Sequence, residues 1–264
     1  MMASKTKSKE VEKKASGEKA VVQGSFFQDA GLGFEDASKE AYSIPFLVLL
    51  QKMSPQCDKD SGEFVKGAEA GMFLNSSTGE LYSDSVQIVP CHYNRQLVEW
   101  VPRSEGGGFR GTYNPEQLDL STLNRDESGK FKMSNGNQIS DTRYHFVLLL
   151  TKSGPRPMVL SLTSTQIKVS RNWMTAMRDQ RTSDGRGGMV KVPMMANIWK
   201  LSSVTQQNDK GSWKGVKVER ERMLKFPEEN DLYEMAKEFH HQIATGKAKV
   251  DETEKSQTTE ESLF

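Results

Sequence analysis

Apolar residues change period several times along this chain, and each change marks an element. Val86 to Val101 is rich in Val, Ile, Tyr and Trp and is interrupted by Pro90, which predicts one long bent strand or two consecutive ones. Arg143 to Thr151 reads as a strand, Lys152-Ser153-Gly154-Pro155 as a turn, and Arg156 to Leu162 as the returning partner. Met194 to Thr205 and Trp213 to Glu219 form a second pair, joined through Asn208-Asp209-Lys210-Gly211. Met72 to Leu74 and Glu80 to Tyr82 flank a polar turn and predict a hairpin, while Ile44 to Met53 predicts a short helix stopped by Pro55.

Two further segments carry helical spacing. Thr163 with Gln166 three residues on has capping-box spacing. In the helix this predicts, Ile167, Met174 and Met177 fall within about 80° of one another, and Lys168, Arg171 and Arg178 share a neighbouring basic face. That helix should end before Gly185-Arg186-Gly187-Gly188. Pro227, acidic Glu228 and Glu229, and apolar Leu232, Met235, Ala236, Phe239 and Ile243 predict a last helix closed by Gly246. Residues 103–142 are polar, include Gly106-Gly107-Gly108, and read as a long loop of the kind that carries function.

Residues 1–25 and 247–264 are charged and poor in large apolar side chains, so they bury too little surface to offset chain entropy. The expected organisation is a disordered basic tail (1–25), one domain (26–246) and a disordered acidic tail (247–264). From residue 86 the order is strand, long loop, strand, strand, helix, strand, strand. A five-stranded OB barrel also has its helix between the third and fourth strands. The expected fold is therefore mainly β with helices (α+β), a five-stranded OB-like barrel with an N-terminal extension and a C-terminal helix; a mixed α+β sheet would give the same string.

The net charge of +1 hides a strong segregation. Residues 86–225 hold 22 basic and 12 acidic side chains, a net of +10, whereas residues 26–85 carry −6. The basic segment interleaves rings with cations: Tyr93 with Arg95, Trp100 with Arg103, Phe109 with Arg110, Tyr144 with Arg143, Trp173 with Arg171, Trp199 with Lys200 and Trp213 with Lys214. Single-stranded nucleic acid needs both parts, since bases stack on flat rings and phosphates follow a positive groove. Each ring taken alone is more simply a core residue; the set, with Lys168, Arg178 and Arg186, points to a single-stranded-DNA-binding surface on which Trp100 or Trp173 is a stacking platform.

Other chemistry is poorly supported. Asp58, Asp60, Gly62 and Glu69 begin like a calcium loop, but Glu63 occupies the turn position that requires Gly. Cys57 and Cys91 form no CxxC and read as buried free thiols, and Cys91, His92, His145, His240 and His241 would make a zinc site only by long-range convergence. There is no GxSxG, HExxH or P-loop, so no catalytic residue, metal or cofactor is assigned. Ile44 to Leu50 is too short to span a bilayer and no apolar signal region follows the Lys-rich start, which predicts a cytosolic protein with no membrane partner.

The segments Ile44-Pro45-Phe46-Leu47-Val48-Leu49-Leu50-Gln51-Lys52-Met53-Ser54-Pro55, Gly67-Ala68-Glu69-Ala70-Gly71-Met72, Val89-Pro90-Cys91-His92-Tyr93 and Val98-Glu99-Trp100-Val101-Pro102-Arg103 resemble a family of tailed-phage proteins over roughly residues 34–240. The resemblance implies single-stranded-DNA binding in phage DNA replication or recombination, in the cytoplasm of an infected bacterial host. The last residues are similar to the C-terminal tips of bacterial and phage single-stranded-DNA-binding proteins, with Glu260 and Glu261 before terminal Phe264. This implies recruitment of a polymerase, helicase or primase. The tip departs from the bacterial pattern in its Ser262-Leu263 insertion and sparse acids. A phage structural or assembly protein, a strand-annealing or recombination mediator, and an enzyme with an unrecognised site remain competing readings, and self-association stays open.

Overall fold

The computed structural model describes residues 32–33 and 43–250 apart from 128, 210 and 249. The chain divides into two compact units; Met1–Tyr42 is described only at Leu32 and Gly33, and every element below belongs to Ser43–Phe264. Both terminal segments expected to be disordered therefore lie largely outside the described residues. In chain order the strands begin with β1 (Leu47–Leu49), β2 (Phe73–Asn75), β3 (Leu81–Tyr82) and the long β4 (Ser85–Trp100). Then come β5 (Phe109–Tyr113), β6 (Asn124–Arg125), β7 (Phe131–Lys132), β8 (Gln138–Thr151) and β9 (Gly154–Leu162). Helix α1 (Ile167–Arg178) leads to β10 (Arg181–Ser183), β11 (Met189–Lys191), β12 (Asn197–Asn208), β13 (Gly211–Met223) and helix α2 (Asn230–Ala244).

Strands β4 and β8 form the spine, paired antiparallel from Gln87↔Leu150 to Trp100↔Gln138. Strict alternation sends Val147 and Leu149 to one face and Tyr144, Phe146 and Leu148 to the other, so the spine contributes to two separate cores. Helix α1 closes the first face with Trp173 and Met177, and α2 closes the second with Ala236 and Phe239. Each such side chain stabilises the fold by about 1.5–3 kcal/mol. Pro90 cannot donate to the ladder, and the register shifts between Pro90 and His92, the bulge that lets a proline sit inside a central strand. No described helix is long and apolar enough to cross a membrane.

The chain is thus mainly β with a few helices. The main sheet runs β13-β12-β4-β8-β7-β6, with β5 on β4 and β9 on β8, and it is open rather than a closed five-stranded barrel. The N-terminal sheet β1-β2-β3 occupies the opening. Phe46 bridges to Val159 on one side, and on the other the Gln51 amide donates to Lys214 O (2.9 Å) and accepts from Lys214 N (2.8 Å). A side chain rather than a backbone ladder thus joins this segment to β13.

Three local expectations change. The helix expected over Ile44 to Met53 is absent and Leu47–Leu49 is a strand, because this continuous apolar run divides between two cores, Leu47 in one and Phe46, Val48 and Leu50 in the other. The expected loop 103–142 contains β5, β6, β7 and the start of β8, anchored by the buried Glu99 carboxylate, which accepts from Tyr113 Oη (2.6 Å), Asn135 Nδ2 (3.0 Å) and Asn137 Nδ2. No capping box forms at Thr163. Gln166 instead reaches across to Val216 N (3.0 Å) and Gln206 Oε1 (3.1 Å).

Candidate nucleic-acid interface

Helix α1 has two chemically distinct sides. Ser170, Trp173 and Met177 point into the core, where the Trp173 ring stacks on His145 at 4.4 Å and 19°, and Ser170 Oγ meets His145 Nε2 at 2.8 Å. Burial, then the Arg143 charge, lowers the His145 pKa to about 3, so this imidazole is neutral. With those positions fixed inward, Lys168, Arg171 and Arg178 are exposed along one flank, spanning about 15 Å of helix axis.

The cations continue past the helix. Arg181 Nη1 donates to Arg178 O (2.8 Å) and Gln180 O (2.9 Å), tying the helix end to a two-stranded ribbon, β10 against β11. At the ribbon tip Asp184 Oδ1 accepts from Arg186 N (2.8 Å) and Gly188 N (2.9 Å), while Gly185 and Gly187 take the left-handed φ values of 75° and 89°. The acid serves the turn and Arg186 stands exposed beside it. Buried Val192 roots the far strand. Among the described residues no carboxylate pairs with Lys168, Arg171, Arg186 or Lys191; Arg178 meets only Asp179 at 3.1 Å, with side chains 72% and 59% exposed, a contact worth about 0–1 kcal/mol.

A second basic cluster lies on the spine. The register places Arg95 opposite Arg143 and Tyr93 opposite His145, so these side chains share one face. Arg95 holds Asp141 through two bonds (2.9 and 3.0 Å), and Arg143 donates to the same carboxylate (2.9 Å) and to Tyr93 Oη (2.9 Å). Asp141 and Arg143 are mostly buried. These two guanidiniums are structural ties first, with one surplus positive charge between them.

The expected stacking platforms are corrected by burial. Trp100, Trp173 and Trp199 are 5%, 2% and 3% exposed and Tyr144 is 1% exposed, so a base has no face to stack on. Their strand and helix positions alternate into the two cores, and size plus apolarity outweighs the neighbouring cation. Phe109 is half-buried edge-on to Trp100 (5.9 Å, 69°), and half-buried Trp213 donates its indole N–H to Gln206 Oε1 (3.0 Å). Arg103 and Arg110 are exposed after β4. Lys200 is exposed at an open cleft of about 1020 Å³ that Lys152, Glu80 and Glu221 also line, and Lys214 Nζ donates to Thr205 Oγ1 (3.1 Å). The expected sites therefore do not converge on one surface patch; Lys168, Arg171 and Arg178 share one flank of α1, and Arg186 lies at the tip of the ribbon that follows it. Glu260, Glu261 and Phe264 lie outside the described residues.

Sequence reasoning missed Arg181, Lys191 and the ribbon itself. The signal was the Asp184-Gly185 dipeptide, a turn former between short β-prone segments. It also missed the pairing of His92 Nδ1 with His240 Nδ1 (3.2 Å), where His240 also meets Cys91 O (3.0 Å), for which no sequence pattern exists. Cys91 itself is a buried thiol, its pKa pushed up to about 12 by desolvation. Among the described residues no three His, Cys, Asp or Glu side chains group as metal ligands.

No curated protein and no solved structure matches the chain. The family model described as Pam3 phage gp34-like protein matches residues 13–249, well over half of the sequence, and the chain therefore belongs to this family of phage proteins.

Proposed function

We propose that the protein binds single-stranded DNA without sequence preference during phage DNA replication or recombination, acting by binding rather than catalysis in the cytoplasm of the infected host. The observation that carries this reading is the set of exposed cations on α1 and the β10–β11 ribbon, of which Lys168, Arg171, Arg186 and Lys191 have no carboxylate partner among the described residues. Exposed, unpaired cations release counterions when they meet phosphates, which supplies sequence-independent affinity. The sequence carries no recognisable duplex-reading motif.

Strand order supports the reading. The five long strands lie in the order β9-β8-β4-β12-β13 with α1 between β9 and β12 in sequence. An OB-fold, a partly open barrel used widely for oligonucleotides, has this order, here with β1 and Gln51 in the gap between its third and fifth strands. In this account the C-terminal residues, with Glu260, Glu261 and Phe264, recruit a polymerase, helicase or primase, a terminal ring and carboxylate being a compact docking group.

The test is binding of labelled oligo-dT against blunt duplex of equal length over a salt series. The reading expects clear preference for oligo-dT, with log K falling by about 0.7 per phosphate contact for each decade of salt. Equal affinity for the two removes it. Acceleration of pairing between complementary oligonucleotides would move the protein to the annealing class.

A further inference from the structure

With Trp100, Trp173 and Trp199 buried, and half-buried Trp213 tied through its indole N–H to Gln206, the bound strand must find apolar contact for its bases elsewhere. Among the described residues of the basic segment, only Met189 and Val190 are large apolar side chains left exposed, at 66% and 46%. They are consecutive residues of β11, so they point to opposite faces of the ribbon. Among the described residues the ribbon is a two-stranded sheet by itself, with no third strand on either edge.

Register sets what accompanies each of them. Arg181↔Lys191 and Ser183↔Met189 share one face, so Met189 stands between a small hydroxyl and two cations, while Thr182↔Val190 occupies the other. The acid of the tip is turned toward the loop amides, leaving Arg186 and Lys191 as exposed charges on the ribbon. A solvated two-faced ribbon that offers apolar side chains within reach of cations fits a polyanion that also presents flat apolar surfaces, namely a nucleic-acid strand.

We propose that the β10–β11 ribbon is the base-contacting element of the protein: Met189 and Val190 pack against unstacked bases while Arg186 and Lys191 hold the flanking phosphates. This rests on the single-strand reading above and adds to it the element that distinguishes a base from a bare backbone.

The experiment compares oligo-dT with an abasic oligomer of the same length, measured by fluorescence anisotropy. The intact protein should prefer oligo-dT by about tenfold, the effect of withdrawing part of two apolar side chains from water. Met189→Ser/Val190→Ser should lose most of that preference while keeping abasic affinity and melting temperature, and Met189→Leu should retain it. Arg186→Gln/Lys191→Gln should weaken both oligomers alike. Equal affinity of the intact protein for the two oligomers, or a preference that survives Met189→Ser/Val190→Ser, overturns the ribbon's role and leaves single-strand binding standing. Failure to bind either oligomer overturns both.

Discussion

The spine cluster and the α1–ribbon run contain the same residue types and have opposite fates. Arg95 and Arg143 converge on Asp141, one of them bidentate, at a site where carboxylate and guanidinium are largely out of water. Lys168, Arg171, Arg186 and Lys191 have no such partner and remain hydrated. A paired guanidinium holds two strands together, and a hydrated one stays available to a phosphate. Whether a cation is structural or functional is therefore decided by what sits across the register from it, not by the ring beside it in sequence.

Trp173→Ala should cost about 3–5 kcal/mol in stability by opening a cavity against His145 and Trp199. DNA affinity of the folded protein should stay unchanged; weaker oligo-dT binding with an unchanged urea midpoint would restore Trp173 as a platform. Asp141→Asn leaves two guanidiniums facing each other and should cost about 2–4 kcal/mol, read by urea titration, with the salt dependence of DNA binding unaltered.

Between the two regions lies His145, held neutral beneath Trp173 and beside Arg143. Its folded pKa of about 3 is below the ordinary value, so the unfolded chain takes up a proton near pH 6.5 that the folded chain refuses. Stability should accordingly fall as pH drops from about 6.5 toward 3, by about 1.4 kcal/mol per unit from this group. His92, lowered by desolvation and then by His240, acts in the same direction. His145→Gln should remove one proton from the slope of unfolding free energy against pH between 6 and 4; an unchanged slope would show that the ring is not neutral in the fold. The smallest effect expected is that of the acidic C-terminus. Removal of residues 251–264 should tighten oligo-dT binding about threefold at low salt and hardly at all above 0.3 M, because a tethered acid competes for the cations only while screening is weak. Weaker binding on truncation would make the segment part of the interface.

Long strands were legible because alternation survives in them: strands cover Val86 to Trp100, Arg143 to Thr151, the return to Leu162 and most of the β12–β13 pair as the pattern predicts, although β8 starts earlier, at Gln138, and Met194–Ala196 is a short 3-10 turn before β12. Helix α2 ends where Gly246, at φ 68°, predicts. Ile44 to Met53 was misread as a helix because a short apolar run buried on both sides has neither helical nor strand period. The order of long strands and helix was visible, but the opening of the sheet was not, since it depends on Gln51 meeting Lys214 across 163 positions. For the candidate interface, the flank of α1 followed from helical spacing alone, whereas the rings failed as a signal because a strand tryptophan beside an arginine carries no mark of which core it enters. Asp141 was equally silent: its neutralising role exists only in the register.

The central claim is that phosphate contacts belong to α1 and the ribbon, not to the spine. Its most direct test is the salt dependence of oligo-dT affinity for Lys168→Gln/Arg171→Gln/Arg178→Gln/Arg186→Gln beside Arg95→Gln/Arg143→Gln. The fourfold variant should lose about 2.8 from the slope of log K against log salt, about 0.7 for each contact removed, with its melting temperature unchanged. The twofold variant should melt earlier and keep its slope. A slope that drops in the twofold variant and stays in the fourfold one would contradict the account.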